Sequence, residues 1–345
     1  MKFAVLGAGN TGQTFAAYLA LNGEEVKLYD RNIDKVKCLL EKGIELRNKL
    51  NGKVSVYATT DMAEAVRDAD IIFICTTANG HKPVFESMKP YLVNGQTIII
   101  TPGYWGAVEC KNLLKGMKNI VIAETDAMMF VSQSLETGIV NVRRIKSKIS
   151  LGTIPSDQAI PLVDRLRRLF PGWEPASNVW ETSLNNTNVT IHPTIMLFNA
   201  SRVNFADEFK FYDEGASRLT VAYIENIDKE RLLIAKALGV KEVSILELLN
   251  SYYVRDFLDL QDALRTIFKT SIAPKSFEYR YITEDIPYGL VAISELGRKL
   301  GIETTYTDCM IEMASLYLSK DFRANGVSFE QEDDLKKYPV DSVIL

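Results

Sequence analysis

The chain has 345 residues, of which 47% are hydrophobic and 24% are charged, and its formal net charge is −4. This is the composition of a globular protein long enough for two domains. Acidic and basic residues are intermixed, which excludes nucleic acid as the main partner and leaves a small polar metabolite compatible. The four cysteines form no CxxC pair, and no apolar run nears the roughly 20 residues of a membrane span. We therefore expect a cytoplasmic protein with free thiols, no metal and no membrane contact.

The first 150 residues or so alternate between short apolar runs and helical patterns. Runs rich in apolar and β-branched residues predict buried strands at 3–6, 25–29, 71–75, 97–100 and 120–123. Helical periodicity predicts helices at 11–21, 34–41, 62–66, 83–91 and 110–115. Such alternation is typical of a doubly wound parallel sheet. The segment 43–56 lacks a helical pattern and is predicted to be a small hairpin or excursion.

The pattern changes in the second half of the chain. Further strands are predicted at 139–142 and 149–151 and a helix at 157–170, and the domain boundary is predicted near 175–185. Later residues have helical periodicity, with helices predicted at 193–204, 221–238, 244–252, 286–300 and 305–316. The predicted fold is therefore α/β, with a doubly wound Rossmann domain at residues 1–183 and a mostly α-helical domain at 184–345. The charged, then apolar tail 331–345 is expected to dock on its own chain or on a partner subunit, and a homodimer is a candidate assembly.

A glycine-rich motif follows the first predicted strand and opens the first helix: Gly7, Ala8, Gly9, Asn10, Thr11 and Gly12. The first glycine permits a tight turn and the second lets a pyrophosphate approach the backbone. The third permits close packing of helix on strand. The motif therefore predicts a dinucleotide-binding site.

Asp30 ends the second predicted strand, where a carboxylate accepts hydrogen bonds from the adenosine ribose. A carboxylate repels a 2′-phosphate, so NAD is favoured. Arg31 follows directly and would bind that phosphate or stack on adenine, so NADP remains an alternative. FAD is disfavoured because no second flavin-binding segment follows. Thr76 and Thr77 follow the strand 71–75 and are expected to border the cofactor, and Pro102 is expected to line the nicotinamide pocket.

An acid/base catalyst that uses an imidazole has only two candidates, because the histidines of the chain are His81 and His192. Pro193 suits the first turn of a helix, which places His192 at or near the helix N-terminus. The helix dipole there favours a neutral imidazole, which can hydrogen-bond a carbonyl and exchange a proton with it. A structural histidine is the alternative interpretation.

A second polar segment, residues 280–289, also carries a proline that opens a predicted helix. Asp285 would orient His192 and stabilise its charge, or would simply cap the helix. Arg280 would pair with a substrate carboxylate, or would form a surface ion pair.

These features together resemble the octopine/opine dehydrogenase family over most of the chain. Two matches are the most specific. One is Asn188 shortly before the pair His192-Pro193, and the other is the segment Thr283-Glu284-Asp285-Ile286-Pro287-Tyr288-Gly289-Leu290.

The resemblance implies a reductive amination. The amino group of an amino acid condenses with an α-keto acid such as pyruvate, and NAD(P)H reduces the imine to an opine. It also implies that His192 is the general acid/base, that Asp285 is its partner, and that Arg280 holds the keto-acid carboxylate. Further substrate-binding residues implied are Asn188 and the pair Glu124-Thr125, expected just after the strand 120–123. The aromatic Tyr104 and Trp105 depart from the smaller or polar groups expected there, so the side chain of the amino-acid substrate is not fixed.

Two other functions fit the same plan of domains. One is a β-hydroxyacid or ketopantoate-type NAD(P)-dependent reductase. Those considered use a lysine at the head of the second domain, but no lysine lies between residues 149 and 209. The other is a non-catalytic NAD(P)-sensing protein, which would need the glycine motif but not His192, Arg280 and Asp285 together.

Overall fold

The structure, a computed structural model, describes residues 1–117 and 119–329. Contacts between residues divide the chain into two compact units, Met1–Ser183 and Leu184–Leu345. The two units are described separately below. The tail 331–345, predicted to dock on its own chain or on a partner, lies outside the described residues.

The first unit contains the predicted parallel sheet. Its strands are β1 (Lys2–Leu6), β2 (Glu25–Tyr29), β3 (Ile44–Asn48), β4 (Gly52–Val54), β5 (Tyr57–Thr59), β6 (Ile71–Ile74), β7 (Thr97–Ile100), β8 (Val121–Thr125), β9 (Phe130–Glu136), β10 (Ile139–Ile145), β11 (Ile149–Ile154) and β12 (Trp173–Pro175). Its helices are α1 (Asn10–Leu21), α2 (Ile33–Lys42), α3 (Met62–Val66), α4 (His81–Met88), α5 (Gly106–Leu113) and α6 (Ala159–Leu166).

Among the described residues, eight strands form one sheet in the order β12-β11-β8-β7-β6-β1-β2-β5. Neighbouring strands are parallel, except that β11 runs antiparallel to β8. The central strands β6 and β7 are buried along their whole length, as expected of a sheet covered on both faces. The chain moves from β5 at one edge back to β6 beside β1, so the strand order reverses next to β1. In open α/β sheets, ligands bind at such a reversal, outside the carboxyl ends of the strands.

A second, four-stranded sheet has the order β4-β3-β10-β9. Strands β3 and β4 form the antiparallel hairpin expected within 43–56. Strand β9 was not predicted from the sequence, and it contacts the start of α1. The backbone N–H of Ser134 in β9 donates to Oδ1 of Asn10 at 3.0 Å, so this sheet fixes the first turn of α1.

The second unit is helical, which confirms the predicted fold class. Helix α7 (Val179–Leu184) spans the boundary between the units. It is followed by α8 (Asn188–Phe198), α9 (Ala200–Asn204), α10 (Arg218–Ala237), α11 (Ile245–Tyr253), α12 (Leu260–Ile267), α13 (Arg280–Thr283), a π-helical turn (Ile286–Leu290), α14 (Val291–Leu300) and α15 (Thr305–Leu318). Of the residues that the structure describes, none forms a helix long and apolar enough to cross a membrane.

Buried Arg231 ties α10 to the start of this unit. Its guanidinium donates to Oδ1 of Asp228, to Oδ1 of Asn185 and to the carbonyl oxygen of Val243. The other carboxylate oxygen of Asp228 accepts from the backbone N–H of Ile245. Because the buried charges are paired and hydrogen-bonded, this network has a structural role: it holds α10 against the first residues of the unit and the start of α11.

Candidate cofactor site and catalytic dyad

The glycine motif has the geometry that a dinucleotide needs. Gly7 has φ +102°, a conformation that L side chains rarely adopt. A Cβ on Gly12 would lie 1.7 Å from the carbonyl oxygen of Gly7, whereas a Cβ on Gly9 would have no atom within 4 Å. The residue that caps the N-terminus of α1 is Gly9, which has no side chain to bond the first N–H groups of the helix. A pyrophosphate therefore has open space above Gly9 and free N–H groups at the helix end.

The other residues of the motif contribute through their backbone. The side chain of Asn10 is engaged by Ser134, and the hydroxyl of Thr11 donates to Sδ of Met128 at 3.0 Å. The backbone N–H of Ala8 donates to Oδ2 of Asp30 at 2.9 Å. The motif is thus held in position by the protein before any ligand binds.

Asp30 lies directly after β2 and is buried. Its carboxylate also accepts from the backbone N–H of Asn32 at 3.0 Å and from Nζ of Lys35 at 2.9 Å. Burial acts to raise the pKa of Asp30. The hydrogen bonds from Asn32, Lys35 and Ala8 outweigh it and hold the pKa below its ordinary value. Lys35 was missed by the sequence reasoning, although its place in the first turn of α2 is a signal that could have been used. Arg31 is exposed.

Two of the other predicted cofactor residues lie at the carboxyl ends of neighbouring strands. Thr76 follows β6, and its Oγ1 is buried with no hydrogen-bond partner among the residues described. Buried hydroxyls normally have a partner, so this oxygen fits a polar ligand or a bound water. Pro102 is buried just after β7. Thr77 is exposed, and its hydroxyl donates to Oδ1 of Asn79.

The aromatic residues after Pro102 belong to the core. Tyr104 and Trp105 are both buried, and the ring of Trp105 packs on that of Trp180 with centroids 5.8 Å apart. The backbone N–H of Trp105 donates to the hydroxyl of Ser183 at 3.0 Å. Their presence at this turn is therefore explained by packing within the first unit.

Glu124 and Thr125 are the last two residues of β8, so the expectation that they follow the strand was wrong. The pairing of β8 with β11 extends β8 to Thr125, which a search for apolar runs could not detect. Glu124 is fully buried and accepts from the backbone N–H of Ala107 at 3.0 Å and from the hydroxyls of Thr182 and Ser183. The hydroxyl of Thr125 donates to that of Thr101 at 3.0 Å.

Glu124 gives the fold a pH dependence with a definite sign. Burial raises the pKa of Glu124 from 4.5 to about 7, against the opposing effect of its hydrogen bonds. Because the folded-state pKa exceeds the unfolded one, the stability that Glu124 contributes is complete below about pH 4.5 and is lost as the pH rises to about 7. In Glu124→Gln this loss is absent. The free energy of unfolding of the variant, relative to wild type, should therefore rise between about pH 4.5 and about pH 7 and then level off.

Urea denaturation at a series of pH values measures this difference. The exposed Glu174, which pairs with Lys148, provides the matched control. Glu174→Gln should follow the pH dependence of wild type. A Glu124→Gln curve that ran parallel to wild type would show that Glu124 does not take up a proton near neutral pH.

His192 lies in the second turn of α8 rather than at its N-terminus. The helix begins at Asn188, with Pro193 in its interior, so the prediction that it starts at Pro193 was wrong. Proline is common at the first helical position, which suggested the later start, but the polar residues Thr190 and His192 before it are already buried and helical. The predicted effect of the helix dipole on His192 therefore does not apply.

Asp285 holds one nitrogen of the imidazole. Nδ1 of His192 lies 2.8 Å from Oδ2 of Asp285, and the two residues are 4% and 1% exposed. The side chain of Asp285 makes no capping bond to the π-helical turn that follows it, so the alternative of a plain helix cap was wrong. A carboxylate only accepts hydrogen bonds, so Nδ1 carries the proton and Nε2 carries the lone pair in a neutral imidazole. This is the arrangement of a general acid/base with its orienting carboxylate.

Two tyrosines that the sequence reasoning missed complete the surroundings of His192. The hydroxyl of Tyr212 lies 2.9 Å from Nε2. The ring of Tyr281 stacks on the imidazole, with centroids 3.8 Å apart and planes at 22°. Burial, and after it the electrostatic interaction with Tyr281, raises the pKa of Tyr212 well above its ordinary value. The imidazole is therefore fixed at both nitrogens and on one face.

A glycine sets the distance between the two elements that carry the dyad. A Cβ on Gly289, in the π-helical turn, would lie 2.3 Å from Cγ1 of Val189 in α8. Any larger residue would push the turn away from α8 and lengthen the contact between His192 and Asp285.

Of the other predicted residues of this unit, Asn188 shares α8 with His192, and Arg280 lies on α13, just before Asp285 in the chain. Arg280 opens α13, its side chain is 34% exposed, and its Nη1 lies 3.4 Å from Oε2 of Glu284. The ion pair expected as an alternative role for Arg280 is thus present. Asn188 is the first residue of α8, and its backbone N–H donates to Oδ1 of Asn186. Within residues 1–117 and 119–329, no group of three or more His, Cys, Asp or Glu side chains is placed to hold a metal ion.

In the comparison with known proteins, two family models match two different parts of the chain. Residues 175–318 match the family model described as NAD/NADP octopine/nopaline dehydrogenase, alpha-helical domain. Residues 3–154 match the model described as ketopantoate reductase PanE/ApbA. The two matches define an NAD(P)-dependent oxidoreductase. The helical half distinguishes it from a ketopantoate-type reductase.

Individual relatives cover nearly the whole chain. The opine dehydrogenase of Arthrobacter sp. (strain 1C) is 32% identical over 337 residues, which are 95% of this chain and 94% of that protein. The opine dehydrogenase of Haliotis discus hannai is 26% identical over 81% of this chain and 75% of its own. A solved octopine dehydrogenase in complex with NADH and agmatine has the same fold, with a TM-score of 0.79 and 20% identity over 99% of this chain and 95% of that one. The chain belongs to the opine dehydrogenase family, whose members are NAD(P)-dependent and act on CH–NH bonds.

Proposed function

We propose that this protein condenses the amino group of an amino acid with an α-keto acid such as pyruvate, and reduces the resulting imine to an opine with NAD(P)H. The observation that carries the proposal is the buried His192–Asp285 pair, in a chain whose first unit has a glycine motif that fits a dinucleotide. Forming the imine requires expelling the keto-acid oxygen as water. A group that gives and takes protons near neutral pH is therefore needed, and histidine supplies it.

Each unit has its own proposed roles. Residues 1–183 form the dinucleotide-binding domain, in which the glycine motif, Asp30, Arg31, Thr76, Thr77 and Pro102 hold the cofactor. The cofactor supplies the hydride that reduces the imine. Residues 184–345 form the catalytic and substrate domain.

The proposed substrates carry carboxylates, and the proposed binding residues include a cation that can pair with one of them. In the helical unit, His192 is the general acid/base, Asp285 orients it, Arg280 holds the keto-acid carboxylate and Asn188 contacts the substrate. In the first unit, Thr125 is the proposed contact. Glu124 acts through the backbone and hydroxyl groups that it holds, because both of its oxygens accept hydrogen bonds from the protein.

Solved relatives support this class of substrate. Octopine dehydrogenase structures are described as complexes of NADH with L-arginine, with agmatine or with pyruvate. A basic amino acid and pyruvate are therefore the first pair to test with this protein.

The test is an NADH and NADPH oxidation screen that pairs pyruvate, glyoxylate and 2-oxoglutarate with a panel of amino acids. Oxidation that requires both partners, with the secondary amine detected by mass spectrometry, is the expected result. Oxidation with a keto acid alone would indicate a simple reductase and overturn the proposal. No oxidation with any pair would favour a protein that senses NAD(P) without turnover.

The cofactor preference is proposed to be NAD, and the Asp30–Lys35 ion pair makes it testable. Asp30→Ala removes the group that would accept from the ribose hydroxyls, so NADH binding should weaken more than NADPH binding. Lys35→Ala leaves the carboxylate without its neighbouring cation, so NADPH binding should weaken more than NADH binding. The ratio of the two dissociation constants should move in opposite directions, by about tenfold each, or roughly 1.4 kcal/mol.

Fluorescence titration with both dinucleotides measures the two ratios, and the melting temperature checks that each variant is folded. If both substitutions left the ratio unchanged, Asp30 would not read the ribose, and the preference for NAD would lose its basis.

A further inference from the structure

The hydroxyl of Tyr212 is hydrogen-bonded to Nε2 of His192, the nitrogen that the proposed reaction needs. With Nδ1 hydrogen-bonded to Asp285, the proton has to enter and leave the imidazole at Nε2. The hydroxyl of Tyr212 lies 2.9 Å from that nitrogen, and Tyr212 is only 6% exposed. An imidazole nitrogen makes one hydrogen bond in the plane of the ring. A substrate atom could therefore not bond Nε2 while Tyr212 remains in place.

The surroundings of Tyr212 keep its hydroxyl there. Its ring stacks on Phe268 with centroids 4.4 Å apart and meets Phe211 edge-on at 5.0 Å. Its hydroxyl is held by Nε2 of His192, and the ring of Tyr281 covers one face of that imidazole. Aromatic contacts on the ring and the hydrogen bond at the hydroxyl together restrict rotation of the side chain.

We propose that Tyr212 is a catalytic residue, whose hydroxyl transfers a proton from Nε2 of His192 to the departing oxygen of the keto acid. The inference rests on the proposed function. It adds a third member to the Asp285–His192 pair and makes the tyrosine hydroxyl, rather than the imidazole, the group that meets the reacting oxygen.

The step balances in atoms and charge. In the adduct of amine and keto acid, the nitrogen lone pair forms the C=N bond and the C–O bond breaks. The oxygen takes the hydroxyl proton of Tyr212 and leaves as water. At the same time the tyrosine oxygen takes the proton from Nε2, and the imidazolium becomes a neutral imidazole whose Nδ1 proton still faces Asp285. The product is an iminium ion, which hydride reduces, and one proton is taken up from solvent per turnover.

No free phenolate forms in this step, which agrees with the surroundings of the two tyrosines. Burial raises the pKa of Tyr212 well above its ordinary value and raises that of Tyr281 to about 12, with Arg280 opposing both shifts. A tyrosine that passes on one proton while receiving another remains neutral throughout, and such a group can act where a phenolate would be costly.

Tyr212→Phe tests the proposal, because it keeps the ring and removes only the hydroxyl. With a pair of substrates found in the screen, we expect kcat to fall by about 10²-fold or more, the scale for losing a general acid, with NADH affinity unchanged. Tyr252→Phe is the matched control. Tyr252 is a buried tyrosine of the same unit whose hydroxyl donates to the backbone of Asn185 at 3.3 Å, and kcat should stay within a few-fold of wild type.

A double variant separates transfer through His192 from loss of packing. If the hydroxyl acts only through His192, His192→Ala with Tyr212→Phe should be no slower than His192→Ala alone, because groups that act as a unit are not additive. Effects that multiply would mean that Tyr212 acts independently, and the relay would be wrong. Unchanged kcat in Tyr212→Phe, with wild-type turnover intact, would overturn the relay and leave the proposed function standing. A wild-type protein inactive with every pair of substrates would count against both.

Site-specific 3-fluorotyrosine at position 212 keeps the test decisive if Tyr212→Phe does not fold. This side chain retains the hydroxyl but makes it more acidic. The rate of proton transfer through the hydroxyl depends on this acidity, so kcat at a fixed pH should differ from that of wild type. A kcat identical to that of wild type would contradict proton transfer through this hydroxyl.

Discussion

His192→Ala is expected to lower turnover by about 10²–10⁴-fold and to leave NAD(P)H binding unchanged. The imidazole is the one group of the described helical unit that is held by a buried carboxylate at one nitrogen and by a hydroxyl at the other. Removing it leaves Asp285 buried without its partner and leaves Tyr212 without a proton donor. The proposed cofactor residues all lie in the other unit, so dinucleotide affinity should not follow the loss of activity.

Initial rates with both substrates and fluorescence titration with NADH measure the two quantities. Thr194→Val is the control on the same helix. The hydroxyl of Thr194 bonds the carbonyl of Thr190 within α8, so its loss should change turnover little. Wild-type turnover in His192→Ala would contradict the assignment of His192 as the general acid/base. Loss of NADH binding in step with activity would mean that the substitution had damaged the whole protein.

Alanine at Gly12 and at Gly9 should damage the protein in different ways. At Gly12 the new Cβ would lie 1.7 Å from a backbone oxygen, so α1 and the turn at Gly7 would have to separate. Overpacking of this kind typically costs about 1–3 kcal/mol, and here no flexible side chain can give way, so we expect a lower melting temperature and no measurable NADH binding. At Gly9 the φ of −78° suits any residue and the space is open, so Gly9→Ala should melt like wild type.

The open space above Gly9 is the proposed place of the pyrophosphate, so Gly9→Ala should nevertheless bind NADH poorly. Losing one hydrogen bond to a charged group costs about 1.5–3 kcal/mol, which corresponds to roughly 10- to 150-fold in affinity. Thermal melting with and without NADH distinguishes the two variants. Wild-type NADH affinity in Gly9→Ala would show that the phosphates do not approach the backbone there.

The features that could be predicted from the sequence are those fixed by local chemistry. Strand β1, the glycine motif and Asp30 lie within one β-α-β unit, and each has a geometric reason for its residue type. The residues alone left Asp285 as either a partner of His192 or a helix cap, because 93 residues separate the two, and the family resemblance favoured the partner. Their contact depends on how α8 packs against the π-helical turn, which no short segment encodes.

The errors have a common origin in packing. Asn188, Thr190 and His192 are polar, which suggested a loop before Pro193, yet all three are part of a helix, in which Thr190 and His192 are buried. Tyr212 and Tyr281 were not singled out, because tyrosines among helices are usually core residues. Lys35 was overlooked because a lysine on the first turn of a helix is usually solvated. In each case a partner distant in sequence or on another element gives the residue its significance.

The contact of Gly289 with Val189 constrains how this protein can evolve. A bulkier residue at 289 separates the dyad, and a smaller residue at 189 would first be needed to make room for it. A substitution at Val189 would therefore have to come before one at Gly289, and the residue at each position limits the substitutions that the other tolerates. New substrate ranges are accordingly more accessible through residues outside this contact, where a single substitution leaves the distance between His192 and Asp285 unchanged.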